Sequence, residues 1–166
     1  EVASLNMGSV NFGDEVYINR MPDIRDWAKR MHAGRVVPEL EIFEAGMLAA
    51  AEQLMAEGVL KTPYYANLPL GAHWALPADP RSIFFITSML PPNVRWSVVH
   101  DGMGDLSLLA TAIGMGASAV RVGFEDRVRF VPGQVARTNA EPVARGVALI
   151  AQMGDDAASP DETRQI

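Results

Sequence analysis

The 166-residue chain contains no cysteine, which excludes disulfides and thiolate zinc sites and fits a reducing, cytoplasmic setting. It has no run of about 18 or more apolar residues, so no membrane span is expected. Positive charge is in short supply: 14 Lys and Arg stand against 20 Asp and Glu, a net charge of -6. That balance argues against nucleic acid or an anionic membrane as the main partner. Histidine is scarce, with three in all. They form no H-x-H or H-E-x-x-H pair, so this chain alone does not supply a convincing zinc site. The loop after the first predicted strand lacks G-x-G-x-x-G spacing, and no dinucleotide fingerprint is present. Low-complexity segments and linkers are also missing. What remains is 49% hydrophobic and 20% charged, the composition of one soluble globular domain with a sizeable core.

The chain begins Glu1-Val2-Ala3-Ser4 and enters a predicted strand at once, without a visible cap or leader. That leads us to expect either a processed N-terminus or further sequence upstream. A rhythm then repeats: a short apolar or mixed run, a loop, a segment of helical period, and a Gly or Pro stop. The predicted strands are Ala3–Met7, Val36–Phe43, Tyr64–Leu70, Arg95–His100 and Ala119–Asp126. A loop with Gly8 and Gly13 leads from the first run to a helix opened by Pro22, running to about His32 and closed by Gly34. Further helices are expected at Ala45–Glu57, near Arg81–Leu90 behind the Asp79-Pro80 cap, from about Asp105 to Met115, and from about Ala140 to Met153. Thr138 with Glu141 fits a capping box before the last of these. Ser159-Pro160-Asp161-Glu162 fits another, opening a short final helix. The nine methionines fall mostly on helices and serve as core filler.

Strands alternating with helices predict a parallel sheet. Five units of about 33 residues fill the chain, and eight would need roughly 265, close to the ~250 typical of a (β/α)8 barrel. A five-stranded doubly wound parallel sheet is the alternative, and pattern alone slightly favours it as the simpler form. Either architecture puts its functional edge at the C-terminal ends of the strands.

Polar residues recur at that edge: Ser4 and Asn6, Glu39 and Glu41, Asn67, His100 and Asp101, then Arg121, Glu125 and Asp126. Within Ala119–Asp126, Val120, Val122 and Phe124 alternate on one face, with Arg121 and Glu125 on the other. An arginine inside a strand, followed by two carboxylates at its exit, is costly to bury without partners or a ligand. Glu39 and Glu41 share a strand face opposite Leu40 and Ile42, so Arg121 can pair with either, or touch a ligand, or both. Glu125 reads as a solvated carboxylate or a metal ligand needing companions. Asp126 reads as a turn cap or a general base. His32 sits near a helix end, where it compensates the dipole. His73, beside Trp74, and His100, at a strand exit, are open to a functional role.

Ser4-Leu5-Asn6-Met7-Gly8-Ser9, Pro38-Glu39-Leu40-Glu41-Ile42-Phe43, Trp96-Ser97-Val98 and Val120-Arg121-Val122-Gly123-Phe124-Glu125-Asp126 occur in that order. As an ordered set covering nearly the whole chain, down to Ser159–Ile166, they resemble the β-keto acid cleavage enzymes. The resemblance implies a zinc-dependent (β/α)8 TIM barrel that reacts a β-keto acid with acetyl-CoA, giving acetoacetate and a new CoA ester. It implies that this chain supplies about strands four to eight, with the two histidine zinc ligands on an early strand that has no counterpart here. Carried over by residue, Glu125 resembles the carboxylate ligand of the Zn2+ ion, and Arg121 and Asp126 the catalytic arginine and aspartate. Ser4 and Asn6 resemble the residues that hold the substrate carboxylate. Glu39 or Glu41 matches the family's strand-five glutamate; both face inward, and Glu41 is favoured as nearer the strand exit. The implied partners are the small-molecule β-keto acid, acetyl-CoA and further copies of the chain in a homo-oligomer.

The implied chemistry suits these residue types. Zinc polarises the keto oxygen, a carboxylate shuttles a proton, and Arg121 orients Asp126 or stabilises developing negative charge. The chain departs from the family pattern at Arg127, where asparagine is expected after Glu-Asp. It departs again at His100-Asp101, where small apolar residues are expected, and at Ala72-His73-Trp74, where glycines are usual. These departures predict a more polar or anionic substrate end, with His100 among the substrate-binding residues. Two other functions fit less of the pattern: a non-catalytic α/β fragment or binding module, and a CoA-independent metal-dependent aldolase or lyase on a barrel.

Overall fold

In the computed structural model, which describes residues 1–101, 106–131 and 133–165, strands and helices alternate along the chain. They are β1 (Val2–Asn6), β2 (Val10–Phe12), β3 (Glu15–Tyr17), α1 (Met21–Ala33), β4 (Val37–Glu41), α2 (Ala45–Ala56), β5 (Tyr64–Leu70), α3 (Pro80–Thr87), β6 (Val94–His100), α4 (Ser107–Gly114), β7 (Ala119–Val120), α5 (Ala140–Gln152) and α6 (Pro160–Thr163). Local chemistry sets several boundaries. Pro22 sits in the first turn of α1, while Arg30 and His32 lie in its last turn, where cations meet the negative end of the helix dipole. Asp79 caps α3 by accepting from the Arg81 backbone N–H at 2.7 Å. Ser159 and Glu162 form the expected reciprocal box on α6.

Strands β1, β4, β5, β6 and β7 form one parallel sheet in that order. Neighbours in the sheet therefore follow chain order without reversal. A doubly wound sheet needs a reversal point, so the doubly wound alternative is set aside. Successive crossovers in one direction, each of the usual right hand, put all the helices on one face. The core agrees. Leu5, Leu40, Ala66 and Trp96 lie level across four strands and pack in one cluster with Ile24, Ala28, Leu54, Ile83, Ile86 and Leu109 from the helices. This is the winding of a (β/α)8 barrel, here as an open five-stranded segment with β1 and β7 at its edges. Among the described residues the barrel does not close.

Three expectations are corrected. The segment after β1, read as a plain loop, holds an antiparallel hairpin in which Phe12 opposes Glu15 across the two residues Gly13-Asp14. Gly13 has φ +63, the left-handed conformation that a tight hairpin turn uses and glycine supplies. The strand expected over Ala119–Asp126 is only two residues long, although the Arg121 N–H still donates to the Val98 carbonyl at 3.0 Å. It stops there because the next backbone groups are engaged elsewhere. The Gly123 carbonyl accepts from the N–H groups of Asp126 and Arg127 in a turn, and the Phe124 N–H donates to Asn139 Oδ1 at 2.9 Å. The Thr138–Glu141 box is the third: Glu141 instead accepts from the Arg137 N–H. Asp105 and Ile166, expected at helix ends, lie outside the described residues.

Candidate active site

The face of the sheet turned away from the helices is polar, and its side chains stand in two rows. Asn6, Glu41, Asn67 and Ser97 are level across β1, β4, β5 and β6, as are Ser4, Glu39, Tyr65 and Arg95 one step earlier. The alternation of β4 requires this: Leu40 faces the core, so Glu39 and Glu41 face away from it. Arg121 follows β7 and reaches back over the first row. Its Nη1 donates to Glu41 Oε1 at 3.1 Å, its Nε and Nη2 grip both oxygens of Asp126 at 3.1 and 2.8 Å, and Nη2 also meets Glu125 Oε2 at 2.9 Å. One planar guanidinium thus gathers three carboxylates. Their surroundings differ sharply. The Glu41 side chain is 6% exposed, Asp126 16% and Glu125 86%.

Burial dominates the electrostatics. It pushes the Glu41 carboxyl up to about 7, and the neighbouring Glu39 adds to the rise, while the Asn67 hydrogen bond and Arg121 pull the other way. Burial also raises Glu39 and Asp126 from their ordinary values, although Arg121 pulls both down. One cation does not offset the burial of Glu41, whose carboxyl can therefore both accept and donate a proton near neutral pH.

The structure joins Glu41, Glu125 and Asp126 through Arg121, each meeting the guanidinium rather than one another, with Glu39 in the second row. Of the two glutamates on β4, Glu41 is the one that meets Arg121. Ser4 and Asn6 lie on the same face at the β1 edge, where Asn6 Nδ2 makes a long 3.4 Å contact with the Tyr17 hydroxyl of the hairpin. His100 is placed differently. It shares the helix-facing side of β6 with Trp96 and Val98, is buried, and its Nδ1 lies 3.0 Å from Arg127 Nη1. Arg127 in turn stacks its guanidinium over Phe130 at 5.2 Å. His73 packs edge-on against Trp74 in the loop after β5, away from the carboxylate cluster's hydrogen bonds.

Sequence reasoning noted Asn67 only as a strand-exit polar residue and assigned nothing to Ser97 or Tyr65. Asn67 and Ser97 are wholly buried, and Asn67 Nδ2 donates to Glu41 Oε2 at 2.9 Å. The available signal was an amide and a hydroxyl in the middle of two strand runs, each at the parity of the polar face. Glu125, on its exposed turn, is accessible as a metal ligand. Among the described residues, however, no three His, Asp or Glu side chains come together to hold a metal, and a catalytic zinc takes three protein ligands. The described residues therefore fit one ligand of a zinc ion and do not make a whole centre.

Comparison with known proteins gives a consistent picture. The family model described as beta-keto acid cleavage enzyme matches residues 1–166. A 3-keto-5-aminohexanoate cleavage enzyme of Fusobacterium nucleatum is 36% identical over 167 residues, covering 100% of this chain and 60% of the relative. A 3-dehydrocarnitine:acetyl-CoA trimethylamine transferase of Rhizobium meliloti is 34% identical, covering 99% of this chain and 55% of its own length. A 3-oxoadipate:acetyl-CoA acetyltransferase of Cupriavidus necator is 30% identical, covering 100% and 59% respectively. The chain thus spans less than two thirds of the length of these curated relatives.

Proposed function

The chain belongs to the beta-keto acid cleavage enzyme family, and from that premise we propose that it works in acyl exchange between a β-keto acid and acetyl-CoA. The observation that supports this most directly is the Arg121 guanidinium shared by Glu41, Glu125 and Asp126 at the C-terminal edge of the sheet. In the exchange, the bond between the keto carbon and the methylene of the β-keto acid breaks, and the methylene bonds to the acetyl carbonyl carbon, whose bond to the CoA sulfur breaks. The released acyl group goes to the CoA sulfur, so the products are acetoacetate and a new CoA ester. The methylene must lose a proton to become a nucleophile and regain one afterwards. A carboxyl group titrating near neutrality suits both transfers; Glu41 is such a group, and Asp126, raised by its own burial, stands beside it on Arg121. Arg121 orients Asp126 and offsets negative charge as it develops on the substrate.

Ser4 and Asn6, at the β1 edge of the same face, hold the substrate carboxylate, and Glu39, one step before Glu41 on that face, is a further substrate contact. Glu125 is proposed as one ligand of a Zn2+ ion whose other ligands come from outside the described residues; when bound, such an ion polarises carbonyl oxygens. Arg127 and Asp101 are proposed to give the site an end suited to a polar or anionic keto acid, with His100, on the helix-facing side of β6, supporting Arg127 rather than touching the substrate. Relatives named for an aminohexanoate, a dehydrocarnitine and an oxoadipate make that end the natural point of variation. A homo-oligomer is the proposed assembly.

The test is turnover by the full-length protein with acetyl-CoA and a panel of cationic, neutral and anionic β-keto acids. Acetoacetate should appear only with acetyl-CoA present, fastest from an anionic keto acid, and fall by on the order of 10²-fold or more in Arg121→Ala and Asp126→Asn. Cleavage without acetyl-CoA would overturn acyl exchange in favour of an aldolase or lyase. A folded protein inert to the whole panel would favour a binding module, and preference for a cationic keto acid would sink the anionic end.

A further inference from the structure

Asn67 and Ser97 take no part in the exchange as written above, yet both are wholly buried on the polar face. A buried amide and a buried hydroxyl on adjacent strands need partners. Ser97 Oγ donates to Asn67 Oδ1 at 2.9 Å, and Asn67 Nδ2 donates to Glu41 Oε2 at 2.9 Å. Arg121 holds the other oxygen, Glu41 Oε1. The result is a line of side chains running from β6 through β5 to β4 and ending on the carboxylate.

We propose that Ser97 and Asn67 are positioning residues for Glu41: the serine hydroxyl sets which way round the Asn67 amide lies, and the amide sets what Glu41 faces. An asparagine amide is nearly symmetric in shape, and its two ends differ only in donating or accepting. While Ser97 donates to the carbonyl end, the NH2 end is turned to Glu41, which matches an ionised, acceptor-only carboxylate. The reversed amide would present its oxygen to Glu41, which matches only the protonated carboxyl, and Ser97 would then accept from the NH2. In that reversed setting the buried Ser97 proton loses the carbonyl it is given to, so the hydroxyl favours the setting that turns the NH2 end to an ionised Glu41. The charged groups that bear on Glu41 beside it are Glu39 on its own strand and Arg121 and Asp126 beyond β7. Deleting the Ser97 hydroxyl leaves all three in place and removes only the bias on the amide.

The kinetic part of the test rests on the proton-transfer role proposed for Glu41, whereas the spectroscopic part does not. In full-length protein carrying 13C-carboxyl glutamate, the Glu41 signal is assigned by its loss in Glu41→Gln and followed with pH. The expected result is that Ser97→Ala moves its titration upward by about half a pH unit or more. Ser97→Thr, which keeps the hydroxyl, should restore it. Ser97→Cys, a near-isosteric weaker donor, should fall between and carries the test if the alanine variant does not fold. In kcat the pH-rate limb should move with the NMR titration, with KM for acetyl-CoA unchanged within about twofold. A Glu41 titration unmoved in folded Ser97→Ala or Ser97→Cys overturns the relay. A moved titration with an unmoved pH-rate limb upholds the relay and removes Glu41 from the proton transfer.

Discussion

Glu41 is buried between a guanidinium and an amide, and its ionisation is therefore coupled to folding. Its carboxyl titrates at about 7 in the folded protein, against 4.5 when unperturbed. A raised folded value means the stability contribution is complete below about pH 4.5 and is lost as pH rises through 7. Glu41→Gln cannot ionise, so it should gain on the wild type across that window, by about 3 kcal/mol at most. Urea midpoints of the full-length protein from pH 4.5 to 8 check this, and parallel curves for the two proteins would refute it. Much of this site was legible in the sequence, because alternation alone turns Glu39, Glu41 and Arg121 away from the apolar side of their strands. The choice of Glu41 over Glu39 as Arg121's partner depended on register between strands 80 residues apart, which periodicity does not encode. The roles of Asn67 and Ser97 were hidden for the same reason, since neither has meaning until its strand neighbour is known.

At the scale of elements, the long periodic helices and the runs Tyr64–Leu70 and Val94–His100 follow the sequence closely, because propensity, apolar spacing and caps agree there. The failures came where a side chain from elsewhere intervened. β7 ends early because Asn139, from the start of α5, takes a backbone donor the strand would have used. The β2–β3 hairpin is a different miss: Gly13-Asp14 between two short alternating runs is a recognisable turn signal. Loop placement is stringent at Gly71, between β5 and α3, which has φ +81 and lies so close to the chain leaving β6 that an added Cβ would collide with the Asp101 carbonyl oxygen. Gly71→Ala should therefore cost about 2–4 kcal/mol, from left-handed strain plus overpacking. Chemical denaturation of the full-length variant measures the loss, and a change under ~0.5 kcal/mol would contradict the close approach.

For the whole molecule, the unreversed strand order leaves β1 and β7 as open edges of a sheet wound in one direction. Unpaired edge strands template further pairing, so the 166-residue chain alone should self-associate at micromolar concentration. Light scattering coupled to size exclusion would show it, and a monodisperse monomer would mean that the edges are protected. The fold class was readable from unit length and alternation, but the winding direction was not, because strand order is set by tertiary packing. Asn6, Glu41, Asn67 and Ser97 stand level on one face, so a one-residue slip of any of these strands would drive its polar group into the layer that holds Leu40 and Leu68. A carboxylate or amide stranded there without a partner makes the misaligned sheet unfavourable. The polar row that carries the site thus also proofreads the alignment of strands as the chain folds.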